Sequence, residues 1–303
     1  MNRVAAVIVT YNRISLLKEC IKNLLMQTVS CDILIVDNNS NDGTQQYIED
    51  AYENFEQVLY RNMGSNLGGA GGFNYGMRWA VEKGYSFVWV MDDDCIPKKD
   101  ALQHFLEFEK KNTNAYGYLS SKVLWKDHSI CKMNVQRKTM YRAVHDFESD
   151  YVPIVMASFV SLFIPAKIIK EVGLPIKEFF IWTDDWEFTR RISLKYKCYL
   201  LNNSVVMHKS INNVGASIVY APTNQLFRFN YLYRNDIYLY RREGFNGWIY
   251  EGIRLLFHII RVLIFSKDSK AKRIKAIIYN SFRGILFKPF VEKVNKDDSV
   301  NGG

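Results

Sequence analysis

Three consecutive aspartates, Asp92-Asp93-Asp94, directly follow the apolar run Phe87 to Met91. Adjacent carboxylates repel one another, so three at a strand end cost stability unless a cation neutralises them. Oxygen ligands suit Mg²⁺ or Mn²⁺, which bridge to phosphate oxygens. Alternate residues of an extended segment point the same way, so Asp92 and Asp94 can face one ligand together. The competing reading is a solvated acidic turn ahead of Pro97. A second acidic pair, Asp184-Asp185, lies between Trp182 and Trp186 and is followed by Glu187. Acids in a first helical turn ordinarily complement the helix dipole. Beside indole rings, however, they are partly desolvated, which raises a carboxylate's pKa toward general-base use. His208 ends the run Ser204 to Met207. A lone histidine is more often structural, but next to an acidic cluster an imidazole can complete a Mn²⁺ shell.

The run Asn66-Leu67-Gly68-Gly69-Ala70-Gly71-Gly72 precedes a helical pattern. Glycines let the backbone approach a ligand, and the helix N-terminus behind them favours anions. The dinucleotide fingerprint is not met, because the register from Gly69 needs glycine at position 74, which is Asn74. The alternative is a tight loop–helix junction with no ligand.

These clusters must be positioned by the elements around them. Val4 to Val9, Ile33 to Val36, Gln57 to Tyr60 and Ser86 to Met91 are short β-rich runs. Helical patterns cover Ile14 to Met26, a stretch from about Asp42, and Phe73 to Lys83. Alternation at this spacing implies a parallel sheet with helices on both faces, whose ligands sit at the carboxyl ends of the strands. Tyr11-Asn12-Arg13, Asp37-Asn38-Asn39 and the Asp triplet all fall at that edge. Val152 to Ile164 contains strand-like runs, Pro165 to Val172 a short helix and Asp184 to Tyr196 an amphipathic one. Thr223 to Arg242, Gly247 to Phe265 and Lys270 to Phe287 are three basic, aromatic-rich helices, with a boundary near Tyr220 to Thr223. The expected organisation is therefore 1–220, 221–294 and a mobile polar tail, 295–303.

Composition narrows the function. The chain has 303 residues, 48% of them hydrophobic, enough for a substantial core. Lys and Arg number 40 against 31 Asp and Glu, a net +9 that favours anionic partners. Cys20, Cys31, Cys95, Cys131 and Cys198 show no paired spacing, which suits a reducing compartment. No signal peptide or transmembrane run is evident, so a cytoplasmic location is expected.

Five motifs in order resemble a family-2 glycosyltransferase with the GT-A fold: Ile8 to Arg13, Asp37 to Thr44, Asn66 to Gly72, Asp92 to Asp94, and Phe179 to Phe188 with Arg191. The likeness covers about residues 4 to 210 and is greatest to galactofuranosyltransferases, with rhamnosyltransferases next. It implies an α/β GT-A fold, a Rossmann-like, mostly parallel sheet flanked by helices, here with a basic helical extension. It also implies an inverting, metal-dependent transfer from a nucleotide sugar, UDP-galactofuranose or alternatively dTDP-rhamnose, to a lipid-linked glycan hydroxyl. That reaction belongs to the synthesis of O-antigen, capsule or galactan. By the same resemblance Thr10, Tyr11, Arg13, Asp37, Asn66, Gly68, Gly69, Asp92 and Asp93 bind the donor. Asp92, Asp94 and His208 hold Mn²⁺ or Mg²⁺, Trp182, Trp186 and Glu187 meet the acceptor, and Asp185 with Asp184 is the catalytic base. The family more commonly has Glu before this Asp, so which of the two acids reaches the acceptor stays open.

Between Arg241 and Lys293, twelve basic residues against four acidic ones give a net +8, nearly the whole excess of the chain. Arg254, His258 and Arg261 share one helical face beside Leu255, Leu256, Ile259, Ile260, Leu263 and Ile264. The segment reads as an interfacial helix drawn to anionic lipid, placing the protein peripherally on the inner face of the plasma membrane. The competing reading is a core-packing helix with a solvated basic stripe. Phe227 to Arg242 is a candidate for homo-oligomer contacts. A nucleic-acid binder is disfavoured, because the basic residues segregate away from the acids and no recognised module appears. A metal-dependent nucleotidyltransferase is a further enzyme alternative.

Overall fold

The computed structural model describes residues 3–113 and 115–294; the expected mobile tail, 295–303, lies outside them. Its strands are β1 (Val4–Thr10), β2 (Asp32–Asp37), β3 (Val58–Asn62), β4 (Phe87–Asp92), β5 (Cys95–Pro97), β6 (Leu119–Trp125), β7 (Tyr151–Ile154), β8 (Leu162–Pro165) and β9 (Cys198–His208). The helices are α1 (Ile14–Leu25), α2 (Thr44–Tyr52), α3 (Gly68–Glu82), α4 (Ala101–Lys111), α5 (Ala166–Val172), α6 (Asp184–Ser193), α7 (Leu226–Arg241), α8 (Gly244–Phe265) and α9 (Lys270–Leu286).

One sheet runs β3-β2-β1-β4-β8-β6-β9-β5, with β7 paired to β9. The expected parallel arrangement holds for β3-β2-β1-β4. Beyond β4 the sheet is mixed: β8 is antiparallel to both β4 and β6, while β6 and β9 are parallel. Every residue of β1 is buried, as expected for a strand covered on both faces. Its alternation divides the core. Ala5, Val7 and Val9 pack with Leu34, Val88 and Val90 under α3. Ala6 and Ile8 pack with Ile33, Ile35, Trp89 and Met91 against Leu17, Ile21 and Phe105 of α1 and α4.

The glycine-rich run departs from expectation. A loop to Gly72 with a helix from Phe73 was expected, but α3 already begins at Gly68. A Cβ on Gly72 would lie 2.5 Å from Val9 Cγ1, and one on Gly76 would lie 2.4 Å from Val7 Cγ1. Here glycine lets a helix lie close on β1, a packing role that Gly72, read as part of a phosphate loop, shares with Gly76.

The C-terminal helices appear at the expected places. The orientation of α8 does not follow expectation: the Arg254–His258–Arg261 face turns inward, not toward lipid or solvent. Arg254 Nη2 donates to Asp236 Oδ2 of α7 at 2.5 Å, and its Nε donates to Glu251 Oε2 at 2.7 Å. His258 Nδ1 lies 3.0 Å from the Tyr233 hydroxyl. Burial, then the charges of Arg254 and Arg261, push the His258 pKa down to about 4, leaving the ring neutral at pH 7. The apolar face of α8 consequently points outward.

Candidate active site

The carboxyl ends of β1, β2 and β4 bring three polar loops together. Asn12, at φ 53°, links two of them. Its backbone N–H donates to Ser40 Oγ at 2.8 Å and its Oδ1 accepts from the Asn41 N–H at 2.8 Å. Asp37, fully buried, accepts from the Ser40 hydroxyl and backbone N–H and from the Tyr60 hydroxyl at 2.6 Å. It braces the loop with both oxygens engaged. Tyr11 stands exposed at the rim.

In the Asp triplet each residue meets a different environment. Asp93 is buried and accepts from Thr10 Oγ1 at 2.7 Å and from Arg13 Nη1 at 3.3 Å. Thr10 and Arg13 thus hold the triplet, with Arg13 also donating to Asp94 Oδ2 at 2.9 Å. Burial pushes Asp93 up to about 7 despite Arg13, and burial with the neighbouring Asp94 charge lifts Asp92 to about 6. Asp94 moves the other way: burial opposes ionisation, but His208 and Arg13 outweigh it and lower its pKa.

Asp92, Asp94 and His208 each offer a ligand atom within 4.8 Å of the others. The register explains why, since β5 and β9 pair Cys95 with His208. His208 Nδ1 lies 2.7 Å from Asn134 Oδ1. Asn134 Nδ2 donates to Ser158 Oγ at 3.0 Å, so Oδ1 is its acceptor and His208 carries a proton on Nδ1. Nε2 lies 3.1 Å from Asp94 Oδ1. Burial works against the charged ring, but Asp94 outweighs it and raises the His208 pKa to about 10, so Nε2 is protonated beside the carboxylate and a bound cation would take that proton's place. That contact falls outside hydrogen-bond geometry, and the buried Asp94 Oδ1 has no other partner among the described residues. An orphaned carboxylate oxygen, a second acid and an imidazole oriented from behind by an amide are the donor set of a divalent-cation site. The residues fit Mn²⁺ or Mg²⁺.

Opposite stands the first turn of α6. Asp184 is buried, and Asp185 is half-buried beside it. Asp185 Oδ1 accepts from the Trp186 N–H at 2.7 Å, and no hydrogen bond reaches its Oδ2 among the described residues. Burial raises Asp184 to about 7, against backbone N–H groups that lower it. Burial and the Asp184 charge raise Asp185 well above the usual carboxylate range. The Asp92 charge raises both as well, so the two acidic clusters lie near enough to feel one another. Glu187 is engaged elsewhere: buried, it accepts from Arg191, which also donates to the carbonyls of Val172 and Leu174. It buttresses α6. Trp186 lies under the Arg137 guanidinium, 4.9 Å from its ring centre.

The segment leading into α6 is strained, with Phe180, Trp182 and Thr183 at φ 63°, 65° and 68°, each costing about 1–3 kcal/mol. Helix α7 holds it in place. Asn235 Nδ2 donates to the carbonyls of Phe179, Ile181 and Trp182, and Thr183 Oγ1 donates to Asp236 Oδ1 at 2.5 Å. On the other side, the Phe180 carbonyl accepts from the Ala70 N–H and lies where a Gly68 Cβ would be, 2.1 Å away. Gly68, at φ +71°, therefore joins the two motifs. Asn66 Oδ1 accepts from the Gly68 N–H at 2.8 Å. The Gly68 and Ala70 N–H groups are thus satisfied by protein groups, while Gly69 has open space beside it and Asn66 is exposed.

Sequence reasoning missed Arg228, Asn235 and Asp236. Arg228 of α7 is half-buried, 4.7 Å from the Trp182 ring centre, and has no acidic partner among the described residues. Burial and the proximity of Arg13 lower its pKa. The available signal was an Asn-Asp pair inside the run of Tyr, Leu and Ile from Phe227 to Tyr240, where polar side chains need internal partners.

The matched family model decides the classification: residues 5–152 fit Glycosyl transferase family 2. The chain carries a family 2 glycosyl transferase domain. Undecaprenyl-phosphate mannosyltransferase of Micrococcus luteus is 35% identical over 107 residues, 35% of this chain and 43% of that protein. Galactofuranosyltransferase GlfT1 of Mycolicibacterium smegmatis is 28% identical over 200 residues, 62% of this chain and 65% of the relative. GlfT1 of Mycobacterium tuberculosis is 38% identical over 91 residues, 30% of each protein. Each match spans less than two thirds of the relative's length. In fold, the chain resembles S. aureus TarS 1-349, with TM-score 0.56 at 15% identity over 93% of this chain and 72% of that one. The same protein in complex with UDP gives TM-score 0.57 at 16% identity, over 94% and 72%. The architecture is GT-A-like, with a helical C-terminal region.

Proposed function

We propose that the chain transfers galactofuranose from UDP-galactofuranose, with inversion, to a hydroxyl of a lipid-linked glycan during cell-surface polysaccharide synthesis. Two similarities support the donor: the GlfT1 relatives are galactofuranosyltransferases by name, and a TarS structure holds UDP. The observation that carries the reading is the Asp92–Asp94–His208 cluster with a second acidic pair, Asp184-Asp185, near enough to feel the charge of Asp92. Asp92, Asp94 and His208 are the residues that would hold a divalent cation. When bound, it supplies positive charge for the leaving diphosphate. Arg228 stacks on Trp182 near Arg13 and has no acidic partner among the described residues, so its guanidinium is available to phosphate oxygens. Asp185 is the acid that reaches the acceptor, because Asp184 is buried behind it. Its open Oδ2 takes the acceptor hydroxyl proton while that oxygen attacks the anomeric carbon from the face opposite the diphosphate. One displacement inverts configuration. Trp182 and Trp186 flank the acceptor path, and Thr10, Arg13 and Asp93 hold the triplet in register.

A donor screen tests this reading. UDP-galactofuranose, UDP-galactopyranose, UDP-GlcNAc and dTDP-rhamnose are incubated with a lipid-like galactoside, and the product is read by mass spectrometry. Turnover of UDP-galactofuranose with UDP release is expected. Preference for dTDP-rhamnose would install the rhamnosyltransferase reading instead, and no product from any sugar donor would remove sugar transfer.

A further inference from the structure

Helix α8 is built inside out for a protein surrounded by water. Its ionisable residues face inward: Glu251 is 1% exposed and pairs with Arg254, which reaches Asp236 on α7. Its large apolar residues face outward, with Phe245 79% exposed and Ile253 and Ile264 each 64% exposed. Helix α9 continues the pattern, with Phe282 64% and Leu286 80% exposed. A soluble helix buries the apolar stripe and solvates the charged one. Here the stripes are exchanged, and the inward one is held by the Arg254 ion pairs with Asp236 and Glu251 and by the His258–Tyr233 contact, so the outward face is not left over from poor packing. Exposed contiguous apolar surface of this kind marks an interaction site.

The charges beside this face identify its occupant. Lys267, Lys270, Lys272, Lys275, Arg283 and Lys288 are all exposed on or next to α9. Their exposed acidic neighbour, Asp268, is already paired with Arg273. A rim of one sign around an apolar face matches a bilayer with anionic headgroups, where each cation near the surface adds to binding and the apolar face enters the acyl boundary. A second copy fits less well, because a two-fold interface sets like patches against each other and would bring the two lysine rims together. Among the described residues no helix is long and apolar enough to cross a membrane, so the mode is docking in the interface plane.

We infer that the outward face of α8 and α9 docks on an anionic lipid bilayer. Through the Asp236–Arg254–Glu251 network, that face is fixed directly to the segment carrying Trp182 and Thr183. The inference rests on this surface alone and not on the identity of the donor sugar.

Vesicle flotation of the full chain tests it, with phosphatidylcholine alone and with phosphatidylcholine plus phosphatidylglycerol. The chain is expected to float with the anionic vesicles, and to do so less as salt rises. Ile253→Gln with Ile264→Gln should lower the bound fraction about tenfold or more, and Lys272→Glu with Lys275→Glu should do the same while weakening the salt dependence. All four positions are exposed, so far-UV circular dichroism should be unchanged. Release of UDP in the same samples reports on sugar transfer separately, so the two readings can fail independently. Three results would overturn the inference: no retention on either vesicle, retention unaffected by both pairs of substitutions, or a concentration-dependent dimer that the Ile pair dissolves without any vesicle binding.

Discussion

Asp94 and Asp185, one from each acidic cluster, are the same residue type and are treated oppositely by the fold. Asp94 is surrounded by cationic and hydrogen-bonding partners, with Arg13 on one oxygen and His208 near the other, and its pKa falls. Asp185 is given only a backbone N–H, a second acid and apolar rings, and its pKa rises. Carboxylates kept ionised by cations are suited to gripping a metal ion. One that resists ionisation is suited to accepting a proton. What separates the roles is what each environment supplies against the cost of burial, not the residue type.

The largest way to break the comparison is at the base. Asp185→Asn keeps the shape and removes proton acceptance, so kcat should fall by about 10²–10⁴-fold while UDP affinity, read by calorimetry, stays near wild type. Turnover at the wild-type rate would move the base elsewhere. On the other side, Asp94→Asn should abolish Mn²⁺ binding in titrations followed by electron paramagnetic resonance. Asn134→Ala removes only the group that orients His208 and should weaken Mn²⁺ binding roughly 10–100-fold. Equal effects at Asp94 and Asn134 would contradict their separate places in the site. Arg228→Met should raise the donor KM by about tenfold or more, since a charge-assisted hydrogen bond is worth about 1.5–3 kcal/mol, and leave Mn²⁺ affinity unchanged.

Much of this contrast was legible in the residues. The strands flanked by apolar runs, the Asp triplet at a strand end and the tryptophan-flanked pair all read locally, because burial of a β-strand and capping of a helix are written within a few residues. What did not read is tertiary. Glycine at 72 has one sequence signature whether it cradles phosphate or lies on Val9. The stripe Arg254–His258–Arg261 has one periodicity whether it faces water or Asp236, and only α7 decides. Arg228 lies far from Arg13 and Trp182 in sequence and comes near both because Asn235 and Asp236 tie α7 to the strained turn before α6. Pairing across β5 and β9 likewise turns His208 from a solitary histidine into a neighbour of Asp94.

The smallest expected effect separates the two acids of the catalytic pair. Asp184 has a folded-state pKa of about 7, above its ordinary 3.8. Between those values the folded chain holds a proton that the unfolded chain has released, so stability declines as pH rises through that window. Asp184→Asn is permanently neutral and escapes the decline. At pH 8 it should be more stable than wild type by roughly 1–2 kcal/mol, less than the full linkage value because the amide accepts the α6 backbone N–H groups more weakly. At pH 4 that advantage should vanish, as thermal melts at the two pH values would register. The same substitution removes the neighbouring charge that helps raise Asp185, so the acid limb of kcat/KM should move to lower pH while activity persists. An unmoved limb with unchanged stability would mean that Asp184 carries no charge that Asp185 feels, and the rise at Asp185 that sets it apart from Asp94 would then rest on burial alone.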